Sequence, residues 1–278
     1  AYVLGGAKSS RLDARLLHGD KLVDNISAGA WASQLGSSFG VIATVKQGVD
    51  PAKVEAIIDE ELQRLLKDGP TADELAQAKT VYRARFIRGI ERIGGFGGKA
   101  DILAGCEIYE GNPGCYRDTL ATVADATPAQ VRDIGRKWLG HPSHTFVVMP
   151  GKRTALAEES SVKPAPMVLP AVDPKYTTEP SSVDRSKGVP AVTTFPALKF
   201  PALQRATLAN GSTLILAERH EIPVVQMSYE FKGGYASDPH GKLGTASFAM
   251  GMLDEGAGDL DSLAFKGKAE SLGAQVGA

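Results

Sequence analysis

The chain has 278 residues, 43% of them hydrophobic and 23% charged, which suits a soluble globular protein of one or two domains. Its 31 Lys and Arg are nearly cancelled by 32 Asp and Glu that are interspersed with them. No basic stripe is left to neutralise phosphates or an anionic bilayer, so no nucleic-acid partner is expected. No apolar run approaches the roughly 20 residues needed to cross a bilayer, and no transmembrane segment is expected. The first residues, Ala1-Tyr2-Val3-Leu4-Gly5-Gly6, lack the zones of a secretion signal. The absence of an initiating Met and of a tail-like end leads us to expect that both ends are cut from a longer polypeptide.

Ile26, Ala28, Ala30 and Ala32 alternate with mostly polar neighbours, and Phe39, Val41, Ala43 and Val45 do so again after a Gly-Ser turn. This period of two predicts an antiparallel hairpin with one buried face. Asp50-Pro51 opens a helix whose apolar stripe is Val54, Ile57, Ile58, Leu62, Leu65 and Leu66, and Gly69-Pro70 ends it. Thr71-Ala72-Asp73-Glu74 is a capping box for a second, long helix, with Leu75, Ala78, Tyr82, Phe86 and Ile90 on its expected core face. That helix is expected to stop near Gly94-Gly95-Phe96-Gly97-Gly98. The glycine run follows a helix, not a strand, and lacks the Lys-Ser/Thr ending of a phosphate loop, so it reads as a helix break.

Cys106 and Cys115 flank Glu110-Gly111-Asn112-Pro113-Gly114, a stretch with turn chemistry that admits a disulfide and equally two ordinary thiols near a helix end. Thr127-Pro128-Ala129-Gln130 caps a helix through Trp138, and Thr145 to Met149 reads as a short strand. Residues 151–200 carry seven prolines among Ser, Thr and charged residues, the composition of a linker. Beyond it, Asn210-Gly211 sits between strand-like runs as a hairpin turn, and Val224 to Phe231 reads as a further strand. Gly244 to Leu253 and a segment from Leu260 to Gly273 read as helices. The expected organisation is therefore α+β: 1–150, a linker at 151–200, and 201–278.

Other polar residues read as structural. His141-Pro142-Ser143-His144 sits in a helix-to-strand loop without a neighbouring carboxylate; His220-Glu221 precedes Ile222-Pro223 and suits a strand end. Asp254 and Glu255 read as a solvated helix terminus beside Gly256.

From Leu208 onward the chain resembles the opening of a unit of the pitrilysin/insulinase zinc-peptidase family. The features in order are Leu208-x-Asn210-Gly211, Pro223-x-Val225, Gly233-Gly234, Asp238-Pro239-x-Gly241, Gly244-x-Ala246, Met252-Leu253-x-Glu255-Gly256 and Leu272-Gly273-Ala274. Residues 1–150 resemble the later half of such a unit, through Leu4-Gly5-Gly6-x-x-Ser9-Ser10-Arg11-Leu12, Ser27-Ala28, Gly69-Pro70-Thr71-x-x-Glu74-Leu75-x-x-Ala78-Lys79 and Gly111-Asn112-Pro113. The resemblance implies the end of a first unit, a linker, and the start of a second, each of antiparallel strands flanked by helices.

Members of that family hold zinc with His-x-x-Glu-His, two imidazoles on one helix face with a carboxylate beside them to activate bound water. Here Ser247 and Gly251 stand at the two His positions and Met250 at the Glu position. The resemblance thus implies an inactive second unit, no catalytic residue or metal ligand in this chain, and zinc bound upstream in a parent metallopeptidase. It also implies that Gly5, Gly6, Ser9 and Ser10 lie near the wall of a substrate chamber, the alternative being that they pack a helix start. The stretch from Leu17 to Asp24 lacks the Arg and Tyr that second units offer a scissile carbonyl, which agrees with 1–150 belonging to the first unit. Expected partners are a peptide or unfolded protein and the remainder of the parent or a second subunit, in a periplasmic or secreted setting. The rival expectation is a peptidase-like assembly or binding subunit without proteolysis.

Overall fold

The structure, a computed structural model, describes residues 1–152, 167–177, 182, 184–186, 188–189, 193–195, 197 and 199–277. The chain divides into two compact units, Ala1–Val147 with His220–Ala278, and Val148–Arg219.

The first unit begins with a one-turn helix α1 (Tyr2–Gly5) and a π-helix (Asp13–Gly19). Strands β1 (Val23–Ala32) and β2 (Ser37–Val45) follow as the expected antiparallel hairpin, with Ile26 opposite Ala43 and Ala28 opposite Val41. Helix α2 (Pro51–Asp68) starts as predicted, the Asp50 carboxylate accepting the Ala52 N–H at 3.0 Å. It ends at Gly69, whose φ of 78° is the left-handed turn that a side chain would strain. Leu4, Leu12, Leu16, Val23, Ile26, Val54, Ile57 and Leu65 form the buried core, so α1, the π-helix, the hairpin and α2 bury their apolar faces on one another.

Helix α3 (Ala72–Gly89) carries the full capping box, Thr71 Oγ1 accepting from Glu74 N and Glu74 accepting from Thr71 N. Its buried face differs from the expected one: Leu75 and Val81 are buried, and Tyr82 is exposed. The capped helix runs in a phase that points Val81 inward, and Tyr82, one residue on, is turned about 100° away from it. After the glycine break come α4 (Lys99–Glu110), α5 (Tyr116–Asp125) and α6 (Pro128–Leu139), the last with a second capping box from Thr127 and Gln130. Arg136 of α6 donates to the Leu66 and Lys67 carbonyls at 2.6 and 2.8 Å, filling acceptors that the end of α2 leaves open.

No strand forms over 145–149, where Phe146 and Val148 are exposed. A strand exists only by pairing, and no neighbouring strand lies alongside among the described residues. The proposed linker is irregular where described, with a turn at Pro174-Lys175; Pro164, Pro166, Pro180, Pro190 and Pro196 lie outside the described residues.

In the second unit β3 (Leu203–Thr207) and β4 (Thr213–Ala217) pair antiparallel around the expected Asn210-Gly211 turn, with Gly211 at φ 82°.

The first unit resumes with 224–231, which forms no strand, contrary to the expectation; Val225 and Met227 are both 89% exposed. A 3-10 turn (Tyr235–Ser237) leads to α7 (Thr245–Gly251), and β5 (Gly256–Ala257) and β6 (Leu260–Asp261) make a small antiparallel pair. Helix α8 (Ser262–Ser271) is capped by Asp261, which accepts from Ala264 N at 2.9 Å, and packs on α3. The architecture is thus mixed helices with small antiparallel sheets, as the sequence led us to expect.

Candidate functional site

Helix α7 covers the window that the sequence resemblance aligned with His-x-x-Glu-His. Asp238 accepts the N–H groups of Gly244 and Ala246 at 2.6 and 2.8 Å, which fixes the start of the helix and gives Asp238-Pro239 and Gly244-x-Ala246 a shared purpose. Ser247 and Gly251 are exposed and Met250 is half-buried. A hydroxyl, a thioether and a bare hydrogen make no zinc donor set, because the ion takes thiolate, imidazole or carboxylate. Among the described residues no three His, Cys, Asp or Glu side chains gather where they could hold a metal ion. The residues present do not fit zinc.

Downstream of α7, Asp254 forms an ion pair with Lys266, and this contact holds its carboxyl below the usual range. Glu255 accepts from Ser262 Oγ at 2.7 Å and lies 3.9 Å from Lys8 Nζ. The expected solvated helix end is therefore tied down on both carboxylates. Sequence spacing did not show this, since Lys266 and Ser262 reach back from α8.

The segment Gly5 to Ser10 is brought against both α3 and α8. A Cβ on Gly5 would lie 2.8 Å from Ala28 N and 3.0 Å from Ala28 Cβ, so α1 meets β1 too closely for a side chain at this position. Ser10 is buried and donates to Asp13 at 2.8 Å or to the Ala7 carbonyl at 2.6 Å. Burial raises the Asp13 carboxyl pKa against the lowering effect of Ser10. Ser9 donates to Glu270, and Gln77 Nε2 bonds both Ser9 Oγ at 2.8 Å and Glu270 at 2.6 Å. These residues, far apart in the chain, form one network beneath a cleft of about 320 Å³.

The cleft is lined by Tyr2, Arg85, Arg88, Lys266, Glu270 and Val276, among others, between α1, α3, α8 and the segment after α8. Arg85 lies over the Tyr2 ring, 6.0 Å from its centroid, and Arg88 donates to the Gly273 carbonyl at 2.7 Å. The Tyr2 phenol is pushed up to about 12, first by burial and then by the charge of Glu270, with Arg85 opposing. It stays protonated at neutral pH. Sequence reasoning reached Gly6 of this cleft but missed Arg85, Arg88 and Glu270, and the run of three cationic residues Arg83, Arg85 and Arg88 on α3 was the available signal.

Residues 1–82 match the family model described as Peptidase M16 inactive domain. No curated protein matches the chain. Among solved structures, the chain is similar to a protease from Helicobacter pylori, with 21% identity and a TM-score of 0.44 over 49% of this chain. The match spans 32% of that protein's length.

The matched segment takes in α1, the π-helix, the hairpin, α2 and the first half of α3. Arg11 binds it together, its Nε and Nη2 donating to the two Glu74 carboxylate oxygens at 2.7 and 2.8 Å, and Nη2 also to the Gly69 carbonyl at 3.1 Å. The Ser-Ser-Arg-Leu and Gly-Pro-Thr-x-x-Glu strings of the matched segment are therefore two sides of one contact. Outside it, Cys106 and Cys115 are joined as a disulfide with a Cα–Cα distance of 5.4 Å. His141 is exposed and donates to the Lys137 carbonyl at 3.2 Å, a helix-end contact, and His144 is exposed too.

Proposed function

We propose that this chain is a non-catalytic part of a zinc-dependent metalloendopeptidase, one that supplies chamber wall and holds an extended peptide while the bond is cut elsewhere in the parent. The observation that carries the reading is the donor set on α7: Ser247, Met250 and Gly251 occupy a well-capped helix where His, Glu and His would be needed. The match of residues 1–82 to an inactive peptidase domain supports it. This chain is assigned no bond-breaking step. The rest of the parent, or a second subunit, is its partner, and a peptide or unfolded protein is its ligand. The Cys106–Cys115 bridge favours an oxidising compartment, periplasmic or secreted. Among the described residues no helix is long and apolar enough to cross a membrane.

The test is elemental analysis and peptide cleavage by the purified chain. The expected result is zinc far below one ion per chain and no hydrolysis with or without added zinc. Stoichiometric, chelator-removable metal tied to cleavage would overturn the reading. A parent sequence without His-x-x-Glu-His would instead assign the chain to an assembly or binding subunit.

A further inference from the structure

We propose that the cleft between α1, α3 and α8 receives an acidic stretch of an extended peptide, with a peptide carboxylate seated on Arg85. This rests on the reading that the chain supports a peptide, and adds which peptides it favours. Three cationic side chains line the cleft, and they are not equally occupied. Lys266 is neutralised by Asp254, and Arg88 is committed to the Gly273 carbonyl. Arg85 has the Tyr2 ring at 6.0 Å and, among the described residues, no carboxylate in ion-pair contact. Glu270 is the acid among the lining residues, and its carboxylate already accepts from Ser9 and Gln77.

The cleft therefore carries surplus positive charge on a guanidinium whose planar fork suits a carboxylate in two parallel hydrogen bonds. The cation–π contact with the Tyr2 ring, 6.0 Å from its centroid, restrains that fork, so less side-chain freedom is lost on binding. A free anion would satisfy the charge alone, but the wall offers more. The segment past α8 runs without helix or strand, and while Ala274 N bonds the Ala269 carbonyl at 2.9 Å, no backbone hydrogen bond leaves Gln275 or Val276 among the described residues. Those open N–H groups beside the cationic side chains fit an extended backbone.

The experiment uses the full chain and fluorescence anisotropy with a short labelled peptide alternating Glu and Gly, its Gln-for-Glu counterpart, and inorganic phosphate as competitor. The expected result is about tenfold tighter binding of the acidic peptide, lost in Arg85→Gln, partly kept in Arg85→Lys, and weakened by salt. Arg85 is exposed, so its substitutions should leave the circular dichroism spectrum unchanged. Equal affinity for both peptides, or a preference that survives Arg85→Gln, would overturn the cleft assignment and leave peptide support standing. Displacement of the peptide by phosphate at matching concentration would mark a simple anion site and also overturn it. Failure of both peptides to bind would remove peptide support itself.

Discussion

Glu74 shows how one side chain serves two elements at once. It closes the capping box of α3 and receives both donors of Arg11 from the segment before the π-helix. Burial raises its pKa, but Arg11 and the Thr71 N–H more than offset this and leave it below the ordinary 4.5. A carboxyl depressed on folding stabilises the folded state above its ordinary value, and that contribution fades as pH falls through the depressed value. Glu74→Gln keeps the capping acceptor and removes the charge, so at pH 7 the variant should be less stable by about 1 kcal/mol. Urea titrations should show the gap closing as the pH drops below 4.5. Gly5 belongs to the same scale: a side chain there would run into Ala28 of β1, so Gly5→Ala has to displace one of the two elements.

At the scale of elements, the α4–α5 corner depends on its disulfide. Cys106 is the one residue of α4 that is buried, and α5 has none. With so little apolar burial, the cross-link across a separation of 9 residues is the main restraint on that corner. Loop-closure entropy for such a short ring is worth about 2 to 3 kcal/mol. The Cys106→Ala, Cys115→Ala double variant should lose hydrogen-exchange protection across α4 and α5 while α2 keeps its own, a pattern that mass spectrometry can resolve.

Helices that announce themselves by caps, α2, α3 and α6, were legible in the sequence, because Asp50, Thr71 and Thr127 act on their own neighbours. α4 and α5 begin at Gly98 and Cys115 with no side-chain cap and were not anticipated. Strand-like runs at 145–149 and 224–231 misled for a different reason. Alternation describes a face, and a strand also needs a second strand to receive its hydrogen bonds. The candidate cleft was the least legible part, since Tyr2, Arg85 and Glu270 come from three elements far apart in sequence and only tertiary packing joins them.

At the scale of the molecule, burial is uneven. The core draws on residues up to Leu65, and the same unit exposes Trp138, Val225, Met227 and Phe231. A contiguous apolar patch built from such side chains is the kind of surface a partner covers. Under the proposal that the remainder of the parent is that partner, the isolated chain should enhance the fluorescence of a hydrophobic dye while keeping its native circular dichroism. Adding a polypeptide that contains the remaining units should suppress the dye signal; an unchanged signal in a stable complex would count against that partner.

The two-pronged grip of Asp238 on the start of α7 carries a consequence for how such a helix ages. A scaffold that an ion cross-links falls apart when the ion leaves, and every ligand is then under selection for folding as well as for reactivity. A helix pinned by an aspartate of its own chain is free of that double duty. Its positions can hold serine, methionine or glycine, and the helix still stands.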